Sequence, residues 1–255
     1  MSPPGLLLLT VGGLMVGSFL NVCIARIPAG ESVASPGSRC PACRTPIRWY
    51  DNVPVLSYLW LGGRCRQCGV RIPWRYPVVE MVTAAAFVAQ GLAVGDDSVL
   101  LASRLVLTAM LIVLFGTDLD TQRLPNIITI PGVAVGMAFS VVTRPGLVES
   151  AAGAALGAAV LLAVRWAWKR ATGVEGMGLG DVKMLAMIGA FLGWRQVWPV
   201  LFFASMAGAA VGIALTVARA RSLQSRLPFG TFLAVAAFAA SLVGDRLLDW
   251  YLTLY

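Results

Sequence analysis

The sequence predicts an all-α, polytopic membrane protein of about eight transmembrane helices, with a small cytosolic four-cysteine insert between the first and second. Three observations predict it. Mean hydropathy is +0.79, and 58% of residues are hydrophobic against 13% charged, far less charge than a soluble surface of this size carries. Charge-free apolar stretches recur along the chain, many of them near the length that crosses a bilayer. The basic residues crowd alternate loops, which is the positive-inside pattern of a membrane protein.

The first predicted span is 4–25. Its first following charge is Arg26, no basic region precedes it and no Ala-x-Ala site follows it, so it reads as a retained helix rather than a cleaved signal. The other predicted spans are 77–95, 98–117, 124–143, 150–168, 182–194, 196–218 and 227–248. The sixth falls short of the ~20 residues that cross hydrocarbon, and the third carries Arg104 near one end.

The loop 26–76 holds Arg26, Arg39, Arg44, Arg48, Arg64, Arg66, Arg71 and Arg75, whereas the next is the tight, acidic Gly95-Asp96-Asp97. Arg123, the group Arg165, Lys169, Arg170 and Lys183, and the group Arg219, Arg221 and Arg226 fall on the same side as the 26–76 loop. Of the 20 Lys and Arg, only Arg104, Arg144, Arg195 and Arg246 fall elsewhere. The 26–76 loop is therefore expected in the cytoplasm and both termini outside. The net charge of +8 is accounted for by these loops, so lipid rather than nucleic acid is the expected surrounding.

Trp166, Trp168, Trp194, Trp198 and Trp250 lie near span ends, where amphipathic rings sit at headgroup level. The pairs Gly13/Gly17, Gly153/Gly157 and Gly208/Gly212 are spaced for close helix packing. The expected domains are 1–26, a first helix; 27–76, the four-cysteine domain; and 77–255, a seven-helix body.

Histidine is absent, which excludes Ser-His-Asp and Cys-His catalysis and any histidine metal ligand. Within the cytosolic insert, Cys40-Pro-Ala-Cys43 and Cys65-Arg-Gln-Cys68 form two CxxC pairs separated by 21 residues. Each pair can place two thiolates on one ion through a tight turn, and four complete a tetrahedral zinc site. Two disulfides are the rival reading, but they need an oxidising compartment. So short a segment needs a staple to fold. Cys23, alone in the first span, reads as a small packing residue.

Ionisable residues at membrane depth are expensive and point to function. Asp118 ends the third span and Asp181 opens the sixth, on the same predicted side. Two carboxylates that meet there would share a proton, one taking a proton from water while the other donates to a carbonyl oxygen. That is aspartyl protease chemistry. The bland alternative makes Asp181 a helix cap and Asp118 with Asp120 a solvated turn before Pro125. Gly178 and Gly180 are expected to let the backbone approach closely and adopt conformations closed to other residues. Asp120 reads as solvated or as a support for Asp118, Glu175 as loop charge, and Lys183 as a partner for a carboxylate or for headgroups.

Taken together, the motifs resemble a known family. Gly17-Ser-Phe-Leu-Asn-Val22 with Arg26-Ile-Pro28, the two CxxC pairs around Trp49-Tyr-Asp-Asn52, Arg75-Tyr-Pro-Val-Val-Glu80, Asp118-x5-Leu124-Pro125-Asn126, Gly178-x-Gly180-Asp181 and Pro228-Phe-Gly230 occur in order. In that order and spacing they resemble the type IV prepilin peptidases, the bifunctional leader peptidase/N-methyltransferases, over nearly the whole chain. The resemblance implies that Asp118 and Asp181 are the catalytic pair and that prepilins or pseudopilins are the substrates. It also implies that S-adenosylmethionine methylates the new N-terminus. No Gly-x-Gly-x-x-Gly motif marks a nucleotide domain. The donor site is therefore expected in 26–80, with Glu80, Asp51 and Asn52 as candidates beside their ordinary reading as a buried structural carboxylate and turn residues. A peptidase without methyl transfer, and a non-enzymatic transporter or scaffold, are the competing functions.

Overall fold

The computed structural model describes residues 2–218 and 227–253, without the side chains of 245, 246 and 248–252. Arg219, Arg221 and Arg226 lie outside the described residues, and so do the side chains of Arg246 and Trp250. The described chain is helical apart from two isolated bridges, as predicted. The helices are α1 (Pro3–Arg26), α2 (Leu56–Trp60), α3 (Arg75–Val94), α4 (Ser98–Thr121), α5 (Asn126–Ser140), α6 (Leu147–Thr172), α7 (Leu179–Leu192), α8 (Trp194–Val217) and α9 (Phe229–Leu252). Helices α1, α3, α4, α6 and α8 are long and apolar enough to cross a membrane. Helix α5 and the Phe229–Gly244 stretch of α9 are apolar but shorter. The protein is a multi-pass membrane protein.

The chain forms two compact units, Met1–Asp96 and Asp97–Tyr255. In the first, α1 packs along α3. A Cβ at Gly13 would stand 2.6 Å from the Ala84 Cα, and one at Gly17 would stand 2.7 Å from the Glu80 Cα. Hydrocarbon provides no hydrophobic drive between helices, so this close backbone approach and its dispersion contacts hold the pair. The Asn21 amide adds a bond to the Tyr76 carbonyl at 3.0 Å. The 27–74 segment between the two helices carries the cysteines.

In the second unit α7 is the central helix, packed against α4, α5, α6, α8 and α9. Residues Val182, Met184, Leu185 and Met187 to Leu192 are all buried. A helix covered on every side by protein is apolar all round and has no need to match the bilayer, which explains why the predicted sixth span is short. At 14 residues it is ~21 Å long. Helix α6 approaches it through Gly153 and Gly157, where added Cβ atoms would collide with the carbonyls of Gly189 and Leu185. Ser150 and Ser140 then both donate to the Ala190 carbonyl, at 2.6 and 3.3 Å. The third glycine pair behaves differently, because a Cβ at Gly208 would make only ordinary contact with Phe232 at 3.5 Å.

Candidate active site and metal centre

Three helix ends position the carboxylates. Helix α4 stops just after Asp118, where Gln122 takes a left-handed conformation (φ 52°) and returns its N–H to the Asp118 carbonyl. Asp118 is buried. Its Oδ2 accepts from the Thr231 amide at 2.9 Å, in the first turn of α9. The amide-rich start of a helix suits a carboxylate. Asp181 lies in the first turn of α7, close enough for the Asp118 charge to act on it. Sequence separates these residues by three loops, and the second unit brings them together.

Leu124 is the spacer between these ends. A Cβ on Gly180 would stand 2.9 Å from the Leu124 Cβ, and one on Gly230 would stand 3.0 Å from its Cδ1 and 2.9 Å from the Asp118 Oδ2. Gly180 therefore has little space for a side chain, although its backbone is helical and not in the left-handed region. Gly178 corrects the expectation made for it. Its backbone (φ −75°, ψ 150°) is extended and open to any residue, and a Cβ there would meet nothing nearer than 3.7 Å. Lys183 donates to the Asn126 Oδ1 at 2.8 Å and ties the Leu-Pro-Asn turn to α7. Asp120 is exposed, two residues beyond the buried Asp118. Thr231, Gly230 and Leu124 were missed as site residues. The Pro228-Phe-Gly230 and Leu124-Pro125 motifs mark them, but only the fold shows what they touch.

Before Asp181, Glu175 is held by Arg165 at 2.6 Å and by Lys169 at 3.1 Å. These cations keep its carboxyl below the usual glutamate range. Arg165 also donates to the Met177 carbonyl, so the last turns of α6 fix the loop that delivers Gly178 to Asp181.

The two CxxC pairs of the first unit fold into matching turns. The Cys40 N–H bonds the Thr45 carbonyl and the Arg44 N–H bonds the Cys40 carbonyl. The Cys65 N–H bonds Val70 and the Gly69 N–H bonds Cys65 in the same pattern. Arg44 (φ 58°) and Gly69 (φ 68°) occupy the equivalent left-handed positions. The turns bring all four Sγ atoms within 4.8 Å of one another, with Cys40 and Cys68 3.8 Å apart. Four thiolates ~2.3 Å from one ion in a tetrahedron stand about 3.8 Å apart, so the cluster has the size of a metal site. The thiols do not shift alike: the Thr45 side chain and amide push Cys43 down to about 6, whereas Cys68, despite the Val70 amide, is pushed up to about 11 by burial and its three neighbouring thiols. The Cys68 and Gln67 amides lower Cys65. Cys23 is buried in α1, apart from this cluster.

Residues 11–94 match the bacterial peptidase A24 N-terminal domain, and residues 105–213 match the type IV leader peptidase family. A relative from Aeromonas hydrophila, named prepilin leader peptidase/N-methyltransferase, is 40% identical over 94% of this chain and 91% of its own. Relatives of the same name from Pseudomonas putida and Dickeya chrysanthemi are 39% and 34% identical, each spanning over nine-tenths of both chains. This chain belongs to the type IV leader peptidase family. The two family matches fall one in each compact unit. No solved structure matches the chain.

The family's methyl-transfer reading directs attention to the first unit. There a cleft of about 230 Å³ is lined by Ser18, Phe19, Arg26, Gly37 and Asn52 among others. Asp51 does not line it; its carboxylate is held by Arg66 at 2.6 Å, which lowers it below the usual range. Buried Glu80 accepts the Val55 N–H at 2.7 Å. Val55 is a β-branched residue at φ 60°, a strained conformation that Glu80 helps to hold. Of the three candidates, only Asn52 reaches the cleft.

Proposed function

We propose that this protein cleaves the short basic leader from type IV prepilins or pseudopilins at the cytoplasmic face of the bacterial inner membrane, and then methylates the new N-terminal amine. The names of the relatives support both steps. The observation that carries the peptidase reading is the convergence on Leu124 of the α7 start, which bears Asp181, and the α9 start, which holds the buried Asp118 through the Thr231 amide.

A water between the carboxylates loses a proton to one of them, and its oxygen attacks the scissile carbonyl carbon. The other carboxyl group donates its proton to the carbonyl oxygen, giving a neutral tetrahedral diol. Collapse breaks the C–N bond as a proton passes to the leaving amine, and no covalent enzyme intermediate forms. Gly180, Gly230, Leu124 and Lys183 set the positions of the pair, and Asp120 stays in solvent. We assign the peptidase to 77–255 and the cytosolic staple to 27–76, with both termini on the outer, non-cytoplasmic side and Cys40, Cys43, Cys65 and Cys68 holding a structural zinc ion.

S-adenosylmethionine is the proposed methyl donor on the relatives' names. The cleft fits it poorly: it is smaller than the ~300–1,000 Å³ of most ligand sites and no carboxylate lines it. Asp51 and Glu80 are already bonded within the protein. We derive no methyl-transfer step from them, and this favours peptidase activity alone as the second reading. Transfer of a labelled methyl group from S-adenosylmethionine to cleaved substrate decides between the two.

The first test is cleavage of a membrane-embedded prepilin, read by mass, for wild type, Asp118→Asn, Asp181→Asn and Asp120→Asn, each checked for membrane insertion. Loss in Asp118→Asn and Asp181→Asn alone supports the pair. Retained activity in either one refutes it.

A further inference from the structure

The second unit contains an apolar trough that the cleavage chemistry does not use. Its volume is about 320 Å³, and its walls come from α6 (Leu161, Val164), α8 (Leu201, Ser205, Gly208, Ala209) and the start of α9 (Phe229, Phe232). Two of its lining residues, Met177 and Phe229, adjoin the site. Met177 precedes Gly178 and the Asp181 turn, and Phe229 precedes Gly230, which touches the Asp118 carboxylate. The trough therefore borders, at Met177 and Phe229, the two segments that carry Asp181 and the Asp118-contacting Gly230.

The lining positions on α8 follow helical spacing, at i, i+4, i+7 and i+8 from Leu201, so one face of α8 lines about two turns, ~12 Å. That face is small where it must be. A Cβ on Gly208 would still leave Phe232 at 3.5 Å, so the glycine is not required by packing against α9. Helix α8 is also the least covered of the long apolar helices, with 11% of its apolar window buried against 44% for α4. Its uncovered side is therefore available to another apolar helix. Between helices in hydrocarbon, shape and close approach decide association, and a trough floored by Gly208 and Ala209 provides both.

Resting on the peptidase reading, the geometry points to this trough as the docking surface for the apolar helix of the substrate. It grips roughly the first eight residues after the cut bond (two turns at ~3.6 residues each) and delivers that bond to Asp118 and Asp181. The rest of the substrate helix lies in lipid. The position of Met177 and Phe229, next to the segments that carry the site, selects this occupant over a lipid chain, which has no reason to end there.

The test uses the full-length enzyme in membranes, with a benzophenone amino acid at Ala209 or Ser205 in the Asp118→Asn background, so that prepilin is bound but uncut. The same probe at Phe203, an exposed position on the other side of α8, is the control. Adducts to prepilin are expected from 209 and 205, mapped by mass to the first eight or so residues of the mature helix, with at least fivefold less from 203. Lipid adducts only, or equal yields at 203 and 209, overturn the proposal. In the active enzyme, Ala209→Trp fills the trough and is expected to raise KM for prepilin about tenfold while kcat at saturation stays within threefold. An unchanged KM in the inserted protein also overturns it. Failure of the wild type to cleave would instead refute the peptidase reading, so the two failures are distinguishable.

Discussion

Gly230→Ala tests the site at its tightest point. Gly230 has an ordinary backbone conformation, so alanine costs nothing in φ and only the new methyl matters. That methyl would lie 2.9 Å from the Asp118 Oδ2, 3.1 Å from its Cγ and 3.0 Å from the Leu124 Cδ1. Carbon to oxygen contacts settle near 3.3 Å or more, so the carboxylate must move by roughly 0.4 Å, away from the Thr231 amide it now accepts at 2.9 Å. A hydrogen bond to a charged group contributes about 1.5–3 kcal/mol, and each ~1.4 kcal/mol lost in the transition state is tenfold in rate. The expected result is a fall in kcat of about 10- to 150-fold, with KM within about threefold of wild type. The assay is prepilin cleavage in proteoliposomes at saturating and sub-saturating substrate. Gly178→Ala is the comparison, because its methyl meets nothing closer than 3.7 Å, and it should keep kcat within about threefold. Near-wild-type kcat in inserted Gly230→Ala, or an equal loss in Gly178→Ala, would refute the reasoning.

Gly180→Ala should follow Gly230→Ala, because its methyl meets the Leu124 Cβ at 2.9 Å; pairing it with Leu124→Ala should recover part of the lost cleavage rate. Purified protein should contain about one zinc per chain by elemental analysis, and Cys40→Ser or Cys68→Ser should lose it and make the 27–74 segment sensitive to protease. Arg44→Gly places glycine where the matching turn already has Gly69, and should raise thermal stability of the first unit by about 0.5–1 kcal/mol. The Glu175 carboxyl is lowered by Lys169 and Arg165, so its tether is present above the ordinary glutamate range, ~4.3, and is lost as pH falls through the lower folded value. The protection of amides in 173–178, measured relative to their intrinsic exchange rates, should therefore fall at low pH in wild type, whereas Glu175→Gln should show low protection already at neutral pH and no such fall.

Much of this was legible in the sequence because it depends on local composition. Apolar runs near bilayer length produce helices wherever water is absent, and the ends of α1, α3 and α4 fall near the predicted spans for that reason. The two CxxC turns are local hydrogen-bond patterns, and their spacing alone announced a four-thiolate cluster. Asp118 and Asp181 stood out because a carboxylate near hydrocarbon needs a reason. Three things required the tertiary structure. The short α7 is central because its neighbours cover every face, and no single segment records what covers it. Gly178 and Gly180 look alike as letters, yet only Gly180 faces Leu124, because that contact joins α7 to a turn more than fifty residues earlier. The amide of Thr231 reaches Asp118 across 113 positions. Composition and spacing determine which groups a chain can afford to place in a membrane, and long-range packing decides which of them meet.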